Sequence, residues 1–242
     1  MPVRVVAERI RTGRTVVAEA TGTAVLLCAV VGSGIMGDRL SGGNMALALL
    51  ANSLATGAAL FCVIVAFGPI SGAHFNPAVT LASAFQRGLS WTRVPGYVAA
   101  QCIGAGAGVI AAHAMFGEPL LMVSQRDRSG GAQLFSEVVA TFGLLTVVWG
   151  CSSRRSTLAP AAVSAYITAA YWFTSSTSFA NPAVTIARSM TDTFTGIRPA
   201  DVPGFVIAQL AGAAGATLLF RWLSPALAAN AENIVIQDGD IG

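Results

Sequence analysis

The chain contains no lysine, and charged residues of both signs are scarce. Only 10% of its 242 residues are charged and 54% are hydrophobic, with a mean hydropathy of +0.67. Soluble domains carry about 25% charged residues, so the deficit excludes a soluble domain and predicts an integral membrane protein. All 14 basic residues are arginines, and they form no basic stripe on a soluble domain. Nucleic-acid binding is therefore excluded as well.

Histidine and cysteine are also sparse, which limits the chemistry open to the chain. The two histidines belong to no His-Glu-x-x-His motif and to no Ser-His-Asp constellation, which argues against an intramembrane enzyme. The four cysteines lack metal-site spacing, and we interpret them as small apolar residues rather than as a disulfide framework. We expect no metal ion and no cofactor, and we assign no role to His113.

Long apolar runs are what the sequence has in abundance. A membrane-spanning helix needs about 20 apolar residues. Two of the predicted helices, at 77–85 and 182–190, are too short for this, with about nine residues each. They rise ~14 Å and are predicted to be half-spans. The first run exceeds the ~7–15 residues of a signal-peptide core, so no cleavable signal is expected. Six spans are predicted, the fifth with a poorly defined end: about 15–36, 45–67, 94–116, 132–150, 158–173 and 202–223.

The pentapeptide Asn-Pro-Ala-Val-Thr occurs twice, at Asn76–Thr80 and at Asn181–Thr185, where it starts each half-span. Asparagine is a favoured N-cap residue, and proline suits the first helical position because its missing N–H would be unpaired there. Irregular backbone at membrane depth is tolerated only where it is buried in protein or lines a water-filled cavity. The two copies therefore predict a site at membrane depth.

The two halves of the chain match beyond this pentapeptide. Each half has a span with a glutamate (Glu19, Glu137), a second span, a half-helix and a span with a glutamine (Gln101, Gln209). Because each half contains three full spans, an odd number, the copies insert with opposite orientations. The prediction is an inverted repeat of about 15–116 and 132–223 within one domain of residues 1–242. Such folds place their site near the midplane, between the repeats.

The arginines predict the orientation, because cytoplasmic loops carry an excess of positive charge. With the N-terminus in the cytoplasm, nine arginines lie inside and five outside, and both short tails are cytoplasmic. The inner set is Arg4, Arg9, Arg11, Arg14, Arg87, Arg93, Arg154, Arg155 and Arg221. The outer set is Arg39, Arg126, Arg128, Arg188 and Arg198.

These motifs resemble those of the aquaporin and aquaglyceroporin family, the major intrinsic proteins. The similarity covers about residues 15–223, and its strongest segment is Ser71–Thr80. It implies an all-α fold of six spans and two half-helices, with one pore in each subunit of a homotetramer. It also implies passive conduction of water or small neutral solutes across a bacterial-type plasma membrane, with lipid as the other partner. The pore motifs carried over are Asn76, Pro77, Ala78, Asn181, Pro182 and Ala183.

Three polar residues near these motifs have two interpretations each. Glu19 and Glu137 are costly inside a membrane: they either relay protons, as in a coupled transporter, or accept hydrogen bonds from the chain that leads into each half-helix. Their symmetric placement and the resemblance favour the structural role. His74 lies two residues before Asn76. The resemblance implies that it lines the cytoplasmic half of the pore, and the alternative is a structural histidine.

The sequence departs from the family pattern directly after the second Asn-Pro-Ala. Most members have an arginine there, which forms one wall of the outer constriction, whereas this chain has Val184. Ungapped counting from Asn181 and Asn76 adds Ala169, Ser178 and Thr56 to the same ring, and a slip of one residue in this count would put Ala170 in place of Ala169. The predicted filter is small, uncharged and wide. It resembles a bacterial subgroup associated with metalloids, which implies passage of glycerol, urea, undissociated arsenite or methylated arsenicals, together with water.

Arg188 complicates this filter because it lies four residues after Val184, on the same helix face. Helical side chains lean toward the N-terminus, so its guanidinium can point back to the filter. The alternative is a solvated arginine at the outer mouth, paired with Asp192. For the whole chain, the competing functions are a water-selective aquaporin and a proton-coupled secondary transporter.

Overall fold

The computed structural model describes the backbone of residues 3–152 and 156–224, and side chains for residues 12–151 and 157–224. Every regular element in this part of the chain is helical, which confirms the all-α prediction. Five of the arginines used to predict orientation lie outside the residues whose side chains are described, namely Arg4, Arg9, Arg11, Arg154 and Arg155. The helices are α1 Val3–Leu40, α2 Met45–Ser71, α3 Pro77–Phe85, α4 Val94–Phe116, α5 Gly131–Ser152, α6 Ala159–Phe173, α7 Pro182–Arg188 and α8 Val202–Leu223.

Local sequence signals set most of these helix bounds. Asn44 caps α2, because its side-chain oxygen accepts hydrogen bonds from the backbone N–H groups of Ala46 and Leu47. Gly72 ends the same helix in the left-handed conformation, with φ of 83°, which glycine adopts without steric cost. The predicted bounds of α3, α4 and α8 agree with the structure. Helix α1 begins earlier than predicted, at Val3, and α7 ends two residues sooner, at Arg188.

Five described helices are long and apolar enough to cross a membrane, namely α1, α2, α4, α5 and α8. The fifth predicted span corresponds to α6, which has 15 residues and follows a short 3-10 turn at Ser156–Leu158. A 15-residue helix rises ~22 Å, which is less than the ~30 Å hydrocarbon core. Helix α6 packs alongside α2 and α5, so protein covers part of its surface.

The packing follows the internal repeat. Helix α1 packs on α2 and α4, and α5 packs on α6 and α8 in the same manner. Both half-helices lie against α4 and α8, and they contact each other. A Cβ on Gly104 would lie 2.2 Å from the carbonyl oxygen of Ala20, and one on Gly212 would lie 2.4 Å from that of Val138. Only glycine permits this backbone approach, which brings the glutamate and glutamine helices of each half together.

Candidate functional site: a cavity between two half-helices

A cavity with an empty volume of about 880 Å³, counting space open to solvent, runs between the two halves of the molecule. Apolar side chains of α1, α2, α5 and α6 form most of its wall, and a small set of polar groups interrupts them. This composition suits a path for small neutral solutes, because few charged groups are available to bind an ion tightly. The predicted site residues that line it are Thr56, His74, Asn76, Ser178, Asn181, Val184 and Arg188.

The two asparagines meet where the half-helices begin. Asn76 Nδ2 donates to the carbonyl oxygen of Ala180, and Asn181 Nδ2 donates to that of Phe75, both at 2.8 Å. Each amide thus binds the residue that precedes the other asparagine. The side-chain oxygens accept backbone N–H groups of their own helices, with Asn76 Oδ1 2.8 Å from the nitrogen of Ala78. One hydrogen on each Nδ2 remains available to the cavity.

The chain enters each half-helix through left-handed backbone. Ala73 and Phe75 both have φ of 49°, and the equivalent Ser178 and Ala180 have φ of 50° and 48°. These values are uncommon for residues other than glycine and persist only where surrounding contacts hold them. The prolines and alanines of the two motifs are buried in the helix starts and do not line the cavity.

In the first half, Glu19 makes the contacts that hold the left-handed backbone before Asn76. Its Oε1 accepts hydrogen bonds from Ser71 Oγ at 2.6 Å and from the backbone nitrogen of His74 at 2.9 Å. Its Oε2 accepts from the backbone nitrogen of Phe75 at 2.7 Å and from Gln101 Nε2 at 2.8 Å. The carboxylate is fully buried and does not line the cavity. Four donors converge on it, so its lone pairs are largely used by the scaffold.

Glu137 makes the equivalent contacts in the second half. It accepts from the backbone nitrogens of Phe179 and Ala180, both at 2.9 Å, and from Gln209 Nε2 at 2.6 Å. It is also fully buried and absent from the cavity wall. Two buried acids, one in each repeat, thus hold the backbone N–H groups that precede the two asparagines. Left unpaired, each of those N–H groups would cost about 1–3 kcal/mol.

His74 faces the cavity from the first half, and its hydrogen bonds define its tautomer. Its Nδ1 lies 3.1 Å from Thr80 Oγ1, and the Thr80 hydroxyl donates to the carbonyl of Asn76 at 3.0 Å. Because the threonine proton is used in this way, His74 Nδ1–H is the donor in the neutral ring. The other ring nitrogen, Nε2, then has a lone pair.

Three of the four predicted filter residues line the cavity, and the fourth does not. Thr56, Ser178 and Val184 line the cavity as predicted, but Ala169 is exposed on the outside of α6 and does not. Tyr171 lies there instead, and its hydroxyl donates to Thr56 Oγ1 at 3.3 Å. In an α-helix, side chains two residues apart point about 200° apart around the helix axis. An ungapped count that is two residues off therefore selects the opposite face of α6. The cavity wall therefore has a tyrosine where the prediction has an alanine.

Sequence reasoning missed Tyr171, although a signal for it exists. It lies four residues after Ile167 and eight after Val163, and all three line the cavity. This i, i+4, i+8 spacing marks one face of α6. The alternative position weighed for the count, Ala170, is buried but does not line the cavity either.

Arg128, a residue that sequence reasoning did not assign to the site, contacts Phe179, which lines the cavity. Arg128 Nε donates to the carbonyl of Gly196 at 2.8 Å, and its Nη1 donates to that of Ser176 at 3.1 Å. Its guanidinium carbon lies 4.9 Å from the ring centroid of Phe179. Burial lowers the pKa of Arg128 to about 10, so the side chain is still charged at neutral pH. No sequence motif marks this residue, because its contacts join loops far apart in the chain.

Arg188 is 2% exposed and lines the cavity one turn after Val184. Its Nε donates to the carbonyl of Thr195, and its guanidinium carbon lies 3.4 Å from the centroid of Phe179. The predicted alternative, an ion pair with Asp192, is absent: Asp192 Oδ1 accepts the backbone N–H of Gln125 at 2.8 Å. Within residues 12–151 and 157–224, no cluster of three histidines, cysteines or acids could hold a metal ion.

Comparisons with known proteins agree with this architecture. The family model described as "MIP: Major intrinsic protein" matches residues 6–177, well over half of the chain. The chain is 56% identical over 211 residues to aquaglyceroporin AqpS of Rhizobium meliloti (strain 1021), covering 87% of this chain and 90% of that protein. It is 34% identical over 215 residues to aquaporin NIP1-3 of Oryza sativa subsp. japonica, covering 84% and 73%.

A solved structure has the same fold. The X-ray structure of the aquaglyceroporin from Plasmodium falciparum superimposes with a TM-score of 0.69, covering 90% of this chain and 99% of that one, at 21% identity. At this identity the similarity concerns the fold alone. The eight-helix arrangement with two half-helices is thus the arrangement of that channel structure.

Proposed function

This chain belongs to the major intrinsic protein family, a family of integral membrane channels for small solutes, and on that premise we propose which solutes it conducts. The proposed activity is passive conduction of small neutral polar molecules: glycerol, urea, undissociated arsenite or methylated arsenicals, together with water. A relative with 56% identity carries the name aquaglyceroporin, which supports the solute-conducting branch of the family. As a channel, the protein moves its solutes down their gradients and is not an enzyme.

The observation that carries the proposal is the side chain after the second Asn-Pro-Ala. Val184 is buried and lines the cavity, where most resembling channels have an arginine. Valine offers no charge and no hydrogen-bond donor, and it is shorter than arginine. The ring that it forms with Thr56, Ser178 and Tyr171 therefore has apolar carbon on one side and hydroxyl groups on the other. A small polyol has the same division, with C–H groups and hydroxyls.

The paired asparagines supply the central recognition. One N–H of each Nδ2 is directed to the opposite loop, and the second is available to a solute oxygen. The N-termini of α3 and α7 add roughly half a positive charge each where they meet. A cation meets an electrostatic barrier there, whereas a neutral solute does not. Asn76 and Asn181 are thus proposed as the central donors, with Pro77, Ala78, Pro182 and Ala183 forming the helix starts.

Glu19 and Glu137 are proposed as supports of the two entry loops rather than as proton carriers. Neither acid lines the cavity, and the contacts of each are made by scaffold groups. A proton-coupled transporter needs an acid that alternates between the two sides, and neither carboxylate has access to the path. A pH gradient across proteoliposomes should therefore not drive any solute above its equilibrium concentration.

The assembly and orientation belong to the same proposal. A homotetramer in a bacterial plasma membrane, with both termini in the cytoplasm, fits the family and the arginine distribution. In this orientation Arg128 and Arg188 lie at the outer mouth and His74 lies in the cytoplasmic half. Treatment of inside-out and right-side-out vesicles with protease, using a tag on each terminus, tests the orientation directly.

The filter assignment is tested by Val184→Arg in proteoliposomes. Stopped-flow light scattering measures water, glycerol and urea permeability, and an uptake assay measures arsenite. We expect the permeability to glycerol and arsenite, relative to water, to fall at least about tenfold, because the added side chain narrows the ring and brings a second charge. Val184→Met is the matched control, since methionine adds length without charge, and a smaller decrease is expected for it.

Two outcomes would count against the proposal. If Val184→Arg leaves the glycerol-to-water ratio unchanged, the ring at Val184 does not select solutes. A wild-type channel that conducts water but neither glycerol nor urea would instead be a water-selective aquaporin. The hydrogen bond between Tyr171 and Thr56 is the observation that favours this second function, because it closes part of the ring.

A further inference from the structure

Arg188 is a nearly buried cation that the proposed filter does not use. It is 2% exposed, lies at the end of α7 and lines the cavity. Burying an unpaired charge costs several kcal/mol, so such a residue needs compensating contacts or a polar, hydrated surface to face. The contacts of its guanidinium distinguish these two cases.

Only part of the Arg188 guanidinium is bound by protein. Nε donates to the carbonyl of Thr195, and the planar face lies over Phe179, with the guanidinium carbon 3.4 Å from the ring centroid. No salt bridge to Arg188 is formed by any residue in the described part of the chain. The two Nη nitrogens likewise have no hydrogen-bond acceptor among those residues. The side chain is therefore held at one edge, with four N–H bonds left for the cavity.

The neighbouring Arg128 does not offer the same donors. Its Nε and Nη1 are bound to the carbonyls of Gly196 and Ser176, so it joins the outer loops to the segment before the second motif. It also contributes positive charge near Phe179. Arg128 thus stabilises the frame in which the Arg188 side chain lies.

Resting on the proposed channel function, we propose that Arg188 is the specificity-determining cation of the outer constriction. Its guanidinium supplies, from one helical turn beyond Val184, the positive charge and the N–H donors that position 184 lacks. Helical side chains lean toward the N-terminus, and this direction carries the guanidinium of Arg188 back toward the ring. Thr195 and Phe179 fix it there.

In this arrangement, one residue determines the width of the constriction and another determines its charge. Valine at 184 leaves room in the ring, while Arg188 keeps the mouth electropositive and offers donors to solute oxygens. The expected solutes are neutral molecules rich in hydroxyl or carbonyl oxygens. Inorganic cations and protons are repelled by this charge in addition to the barrier at the asparagines.

Arg188→Gln tests the proposal in proteoliposomes, because glutamine can still donate to the Thr195 carbonyl but carries no charge. The readouts are K⁺ and proton leak, by fluorescent indicators, and glycerol permeability relative to water. We expect the cation leak to rise at least about tenfold and the glycerol-to-water ratio to fall about threefold. Arg39→Gln is the matched control, since it removes an equal charge from a partly exposed residue that pairs with Glu118 outside the cavity.

Two further variants separate charge from scaffold. Arg188→Lys keeps the charge and is expected to leave the cation leak within about threefold of wild type. The double variant Val184→Arg/Arg188→Gln moves the guanidinium to the usual position and is expected to restore cation exclusion while lowering glycerol permeability. Rescue by this swap is a result that a purely structural role of Arg188 would not give.

The possible outcomes distinguish a failure of the proposed channel function from a failure of the proposed role of Arg188. If wild type conducts no neutral solute, the channel function itself is wrong. If wild type conducts glycerol and Arg188→Gln leaks cations no more than Arg39→Gln, the role of Arg188 is overturned and the channel function stands. If Arg188→Gln does not insert into the membrane, the cation leak of Arg188→Lys decides the question. A tenfold rise in that leak contradicts a role based on charge, and a leak as low as that of wild type supports it.

Discussion

The two half-helices begin with the same five residues, but their surroundings differ. In both, a buried glutamate holds the entry loop, a glutamine joins that glutamate to a threonine of the half-helix, and an asparagine donates across the interface. The positions two residues before the asparagines are occupied by His74 and Phe179. The equivalent of Arg188 in the first half is Ser83, which is buried and does not line the cavity. The scaffold and the two asparagines are therefore duplicated, whereas His74 and Arg188 line the cavity without a residue of the same type at the equivalent position.

The hydrogen bonds that support the half-helices are the same in the two halves, whereas several side chains of the cavity wall differ. Gln101 Nε2 lies 2.9 Å from Thr80 Oγ1, and Gln209 Nε2 lies 2.8 Å from Thr185 Oγ1. These bonds satisfy backbone and amide groups that water cannot reach, so both halves need them. To the cavity wall the first half contributes His74 and the second contributes Arg188.

The largest effect is expected from replacing the buried glutamate of either half. It tests whether the stability of the two halves depends equally on Glu19 and Glu137. Glu19→Gln places an amide N–H₂ where four donors converge, and Glu137→Gln does so where three converge. Since hydrogen bonds to a charged group are worth about 1.5–3 kcal/mol each, we expect a loss of 3 kcal/mol or more for either variant. The Glu19 variant should be the less stable. Thermal unfolding in detergent, followed by fluorescence, gives the order, and equal stability to wild type would contradict the scaffold role.

The next effect concerns the close helix contacts that are equivalent in the two halves. Gly104→Ala and Gly212→Ala force α1 away from α4 and α5 away from α8, because the new Cβ would meet a carbonyl oxygen. We expect a cost of about 1–3 kcal/mol for each. Gly106→Ala is the matched control: its Cβ would meet only the Met190 side chain at 3.9 Å. Melting temperatures of the three variants measure the difference, which disappears if the helix spacing is not limiting.

The reciprocal bonds of the asparagines give a smaller effect that measures coupling between the halves. Asn76→Ala and Asn181→Ala each remove an N-cap and one 2.8 Å bond across the interface, at a cost of about 1–2 kcal/mol. The double variant should cost less than the sum by about 0.5–1 kcal/mol, because the first loss already loosens the loop pair. Unfolding free energies of the four proteins complete the cycle. Strict additivity would mean that the loops are held independently.

The smallest effect comes from making the two halves alike. His74→Phe copies Phe179 into the first half and removes the hydrogen bond to Thr80. We expect a cost of about 1 kcal/mol in stability and a decrease of about twofold in water permeability, because a lone pair is lost from the wall. Stopped-flow measurements against wild type check the permeability. An unchanged cation leak is expected as the control, since this substitution leaves Arg188 and the asparagines in place.

Much of this architecture is encoded locally. The Asn-Pro pairs start α3 and α7 because capping geometry and the fixed φ of proline act within a few residues. Apolar length defines the long helices for an equally local reason, the thickness of the membrane. The repeat of glutamate and glutamine positions predicts which helices pack together. None of these inferences requires knowledge of distant contacts.

The tertiary structure alone decided which residues of α6 line the cavity. Ala169 is exposed, whereas Tyr171 lines the cavity, because two residues along a helix point to opposite faces. Arg128 packs against Phe179 of the cavity wall and binds segments about 50 and 70 residues away in sequence. The sequence raised an ion pair between Arg188 and Asp192 that the structure lacks; Arg188 lines the cavity and contacts Phe179 and Thr195 instead. Helix starts depend on neighbouring residues, whereas a filter depends on the direction in which side chains from four or more segments meet.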